Sequence, residues 1–66
     1  MSIGKKLTAL MYDKGVTQRE VAKAIGLSKT SVSYAVNGRV VPKADTLIKL
    51  AAYFGVTVDE LLKGES

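Results

Sequence analysis

The sequence predicts an all-α domain of five helices, and three features carry that prediction. Apolar residues recur at helical spacing, a Thr or Ser with a capping partner marks three helix starts, and glycines close four of the segments. No stretch alternates apolar and polar residues long enough to propose a sheet.

Ile3, Leu7, Leu10 and Met11 fall at i, i+4, i+7 and i+8, one face of a first helix near 2–14 that Gly15 ends. Thr17 opens a second helix near 18–25. Its hydroxyl can accept from the Glu20 amide while the Glu20 carboxylate reaches back to the Thr17 amide, and Val16 and Val21 occupy the positions of a hydrophobic staple. Gly26 closes that helix, and Ser28 caps a third near 29–37, with Leu27 and Val32 as its staple. The box position there is Ser31, not an acid. After Gly38, Pro42 ends the longest connection and leads into a fourth helix near 44–54. Its inner face is Leu47, Leu50, Ala51 and Phe54. Beyond Gly55, the residues Val56, Thr57, Glu60 and Leu61 repeat staple, cap and box for a fifth helix near 58–63. Connections of three to six residues suit a compact bundle, so residues 1–66 are expected to form one domain.

Composition narrows the chemistry. The 66 residues suffice for one small core, and a hydrophobic content of 47% can supply it. The absence of cysteine excludes a disulfide framework and thiolate metal sites, and the absence of histidine removes the usual general base. Ser2 and Lys5 match a Ser-x-x-Lys pattern by letters alone, and Asp59 and Glu60 are helix neighbours that do not face one another. No catalytic residue, cofactor, metal or small-molecule ligand is therefore expected. No run of about 18 apolar residues exists, and no signal-peptide stretch follows Met1, which leads to the expectation of a cytoplasmic chain without membrane contact.

The net charge of +4 is unevenly placed. Residues 1–43 carry eight basic and two acidic residues, a net +6, whereas residues 44–66 carry two basic and four acidic, a net −2. Such polarity favours a polyanion on one side, although a solvated basic surface would have the same composition.

Residues 18–37 concentrate the unusual choices. Val21, Ala22 and Ile25 form the expected buried side of the second helix, and Val32, Ala35 and Val36 that of the third. Ala22 is small where two helices approach, and Gly26-Leu27-Ser28 is short enough to throw one helix steeply across the other. The outward face of 29–37 is then Lys29, Thr30, Ser33, Tyr34 and Asn37, without an acid. Lys29 can donate to guanine O6 or N7, the Thr30 methyl can touch a thymine methyl, and Ser33 can bond either kind of base edge.

Thr17-Gln18-Arg19-Glu20-Val21-Ala22, Gly26-Leu27-Ser28, Asn37-Gly38, Leu47 to Ala51 and Gly55 to Leu62 together resemble the lambda-repressor-like helix-turn-helix family. The resemblance spans about residues 3–63 and implies a five-helix fold. It also implies a sequence-specific regulator of transcription, Cro-like or repressor-type, that binds double-stranded DNA. A homodimer, which can form on the DNA itself, would meet a pseudo-palindromic operator with residues 29–37 in the major groove. Carried over by position, Lys29, Thr30, Ser33 and Tyr34 would read bases. Gln18, Arg19, Ser28, Ser31, Asn37 and Arg39 would meet the sugar–phosphate backbone. The stretch Ser31 to Gly38 departs from the family at Ala35 and Val36 and looks more like the lac-repressor family's reading helix. That departure leaves Tyr34 open between a groove contact, a phosphate contact and packing on the body.

A protein-interaction module is the rival reading. Val40, Val41, Val56 and Val58 exceed what so small a core must bury, and such clusters mark a partner, most economically a second copy.

Overall fold

In a computed structural model of the protein, the structure describes residues 3–63. Five helices follow in order: α1 Ile3–Lys14, α2 Gln18–Ile25, α3 Lys29–Val36, α4 Ala44–Phe54 and α5 Val58–Leu62. The expected start of the first helix at Ser2, and the Ser-x-x-Lys pattern, reach outside the described residues. Two helix ends fall one residue earlier than the spacing predicts. Asn37 and Lys63 are C-caps of α3 and α5, not members of them.

The starts follow the local chemistry. At α2, the Glu20 amide donates to Thr17 Oγ1 at 3.2 Å and the Thr17 amide donates to Glu20 Oε1 at 2.8 Å. At α5 the same reciprocal pair joins Glu60 and Thr57 at 3.0 and 3.1 Å. Each box satisfies two amides that the helix leaves without partners. At α3 the Ser31 amide donates to Ser28 Oγ at 3.2 Å, and the Ser28 hydroxyl in turn donates to Ser31 Oγ at 3.1 Å. A serine pair thus stands where the other two helices use an acid.

Between α2 and α3, Gly26 adopts φ 77°, ψ 29°, and the Leu27 amide returns to the Ala22 carbonyl oxygen at 2.9 Å. An L side chain resists that left-handed geometry, so glycine sets the turn.

The core draws on all five helices: Ile3 and Leu7 from α1, Val21, Ala22 and Ile25 from α2, Val32 and Ala35 from α3, Leu47, Leu50 and Ala51 from α4, and Leu61 from α5. Leu7, Leu50, Leu61 and Val21 are its most deeply buried members. Four positions expected on apolar helix faces lie at its edge: Leu10, Met11, Val36 and Phe54 are half-buried and pack against the cluster from outside.

Gly4 has a structural role that helix spacing does not reveal. It is buried inside α1, and a Cβ at this position would run into the Val36 carbonyl oxygen. The missing side chain lets α1 lie directly on the C-terminal turn of α3. Together with α2, this contact fixes how α3 projects from the body.

Candidate nucleic-acid interface

Helices α2 and α3 pack on each other through Val21, Ala22, Ile25, Val32 and Ala35. Because these residues are buried, the remaining side of α3 faces solvent. Lys29, Thr30, Ser31 and Asn37 are exposed, Ser33 is half-buried and Tyr34 is 45% exposed. Helical geometry places residues 29, 30, 33, 34 and 37 along one face, as the spacing predicts. No acidic residue lies on α3, and Glu20 at the start of α2 is engaged in its capping box.

Three side-chain pairs organise this surface. Ser28 gives its proton to Ser31, so at the start of α3 it is the Ser31 hydroxyl that retains a proton to donate. Asn37 Nδ2 donates to Ser33 Oγ at 3.2 Å across one turn. The Arg39 guanidinium lies 5.9 Å from the Tyr34 ring centroid, and its backbone amide donates to the Tyr34 carbonyl oxygen at 2.9 Å. The loop after α3 therefore folds back along the helix and carries a cation to the tyrosine face.

Gln18 and Arg19 stand on the first turn of α2, where the unpaired amides and the helix dipole favour an anion. Gln18 is half-buried and Arg19 exposed. Neither makes a side-chain hydrogen bond to α3 among the described residues, so the two are neighbours of the reading face through helix packing alone. Among the described residues, Arg19, Lys29 and Arg39 have no ion-pair partner, which leaves their charges uncommitted.

Helical spacing alone misses one feature of this region. An apolar groove of about 360 Å³ runs behind α3, and Ser31, Tyr34, Val40 and Lys43 meet along it. It is floored by core residues such as Leu7 and Leu50. Lys43, counted in the sequence only as a charge, thereby joins the side of the molecule that bears Tyr34. Its position directly after Pro42 is the signal that could have drawn attention to it.

The four valines expected in excess of the core separate into two kinds. Val56 and Val58 are half-buried and pack against the cluster, whereas Val40 and Val41 are 51% and 71% exposed. Leu62 at the end of α5 is also exposed.

A family comparison agrees with this architecture. The helix-turn-helix family profile matches residues 9–61, and the chain belongs to the lambda-repressor-like helix-turn-helix family. The chain is 40% identical over 62 residues to the ImmF control region 10 kDa protein of Bacillus phage phi105, covering 88% of this chain and 69% of that one. It is 35% identical over 65 residues to the HTH-type transcriptional activator BcrR of Enterococcus faecalis, covering 98% of this chain but only 32% of that protein. Several curated relatives are thus considerably longer than the segment they share with it. Among solved structures, the P22 c2 repressor in complex with a synthetic operator has the same fold, with a TM-score of 0.92 at 23% identity and 98% coverage of both chains. The clp gene regulator ClgR of Corynebacterium glutamicum is 30% identical with a TM-score of 0.82, over 89% of this chain and 63% of its own.

Proposed function

We propose that the protein is a sequence-specific regulator of transcription that binds double-stranded DNA, with α3 in the major groove. The observation that carries this reading is the acid-free face of α3, held rigidly by α1 and α2 and flanked by uncommitted cations. A protruding helix of short polar side chains fits the width of the major groove and can approach base edges. Membership of the family, and relatives named as repressors and regulators, support the same reading. Repression by occlusion of a promoter is the simplest mechanism for a domain of this size.

Lys29, Thr30, Ser33 and Tyr34 are assigned to bases. Gln18, Arg19, Ser31, Asn37 and Arg39 are assigned to the backbone. Ser28 is assigned there too, its hydroxyl donating a hydrogen bond to Ser31 Oγ. A selection of random duplexes tests the division of roles. Gln18→Ala should weaken binding alike on all sequences, because a phosphate contact carries no base identity. Lys29→Ala should instead relax the preference at one position of each half-site, by about 1–3 kcal/mol for a good base contact. The reverse pattern would overturn the assignment.

Two copies are expected on each operator. The molecule measures 28 × 22 × 19 Å and carries one α3, whereas successive major-groove faces lie about 34 Å apart. Val40 and Val41, with Leu62, are the exposed apolar residues best suited to join the copies. Val41→Asp should reduce cooperativity on a full operator while leaving the helical circular dichroism unchanged. In sedimentation with a full operator, one protomer per site at saturation would contradict the dimer.

A further inference from the structure

Ser33 and Asn37 are linked through their side chains as well as through the backbone bond of the helix. The Asn37 backbone amide donates to the Ser33 carbonyl oxygen at 2.9 Å, and the Asn37 side-chain Nδ2 donates to Ser33 Oγ at 3.2 Å. A serine hydroxyl has one proton and two lone pairs. Inside a helix that proton commonly goes to a carbonyl one turn back. Thr8 does this in α1, donating to the Gly4 carbonyl oxygen at 2.9 Å. Ser33 does not: among the described residues its proton has no acceptor, while one of its lone pairs is taken by Asn37.

We infer that Asn37 is a positioning residue that, by occupying one lone pair of Ser33 Oγ, biases this hydroxyl toward donating to the DNA, and so disfavours cytosine at the base Ser33 meets. This rests on the assignment of α3 as the reading helix. In the major groove guanine presents O6 and N7, adenine N7 and thymine O4, all acceptors. Cytosine presents only its N4 amino group, a donor. A hydroxyl that arrives with its proton unspent can bond the first three. Against cytosine N4, Ser33 offers only the one lone pair that Asn37 leaves, and its proton must turn away from the base, so the contact loses its donor bond. Accepting from the Asn37 amide also polarises the hydroxyl and strengthens its donation. Asn37 keeps a second amide hydrogen for phosphate, so the two roles coexist.

The test uses Asn37→Asp, which preserves the shape and replaces the amide donor with an acceptor. The carboxylate then captures the Ser33 proton, and the serine turns lone pairs toward the base. Random-duplex selections with the wild type, Ser33→Ala, Asn37→Ala and Asn37→Asp are compared. The position whose preference vanishes in Ser33→Ala is the one Ser33 reads. There the wild type should deplete cytosine about fivefold, the worth of one hydrogen bond left unmade. Asn37→Ala should flatten that depletion, and Asn37→Asp should convert it into enrichment of cytosine or adenine, whose amino groups can donate. The added negative charge lowers affinity on all duplexes alike and does not alter the preference at a single position. An Asn37→Asp preference identical to that of the wild type at this position would overturn the inference. If Ser33→Ala altered no position, the base-reading assignment of Ser33 would itself be overturned.

Discussion

Leu61→Ala should leave the domain largely unfolded at moderate temperature. Leu61 is fully buried and is the one core residue that α5 contributes. Truncating a buried leucine costs about 2–5 kcal/mol, from lost transfer energy and the cavity left behind. A chain of this size has only about 3–10 kcal/mol in total at typical stability per residue. The melting temperature should therefore fall by about 8–40 °C, at about 4–8 °C per kcal/mol for a small domain. The capping box of Thr57 and Glu60 cannot compensate, because a helix of five residues is not stable without its tertiary contact. Leu62→Ala is the matched control: the same residue type, one position on and exposed, should change stability by no more than about 0.5 kcal/mol in dilute protein. Equal melting temperatures for the two variants would contradict the placement of α5.

The features legible in the sequence are those set by local chemistry. Thr17 with Glu20, and Thr57 with Glu60, form bonds between residues three apart, so the letters alone define both partners. Burial of Leu7, Val21, Leu50 and Leu61 follows from spacing for the same reason. Gly4 reads as an ordinary weak helix residue, because its purpose depends on the Val36 carbonyl oxygen of a helix distant in sequence. Val56 and Val58 flank the Thr57 cap of α5 and pack against the core, whereas Val40 and Val41 lie in the loop before α4 and stay exposed, a difference that residue type alone does not reveal.

The candidate site divides in the same way. The outward face of α3 follows from its buried side, and residues 29, 30, 33, 34 and 37 lie where the period puts them. Their mutual engagement does not follow. That Asn37 holds Ser33, that Ser28 spends its proton on Ser31, and that Arg39 returns to Tyr34 all depend on rotamers and on the course of the loop. Tyr34, open in the sequence between a groove contact, a phosphate contact and packing on the body, lines the apolar groove behind α3 and is nearly half exposed.

The central claim is that the α2–α3 side of the molecule neutralises DNA phosphates, and the salt dependence of duplex binding tests it most directly. Arg19 and Arg39, the two cations assigned to the backbone, have no ion-pair partner among the described residues and can each displace a condensed counterion. Two such contacts from each of two copies give a log–log slope of about −3.6, and affinity should fall about 10²-fold between about 50 and 200 mM salt. Arg19→Ala should make the slope shallower by about 2, one unit for each copy, without changing the preferred sequence. A slope near zero on duplex DNA would contradict the account.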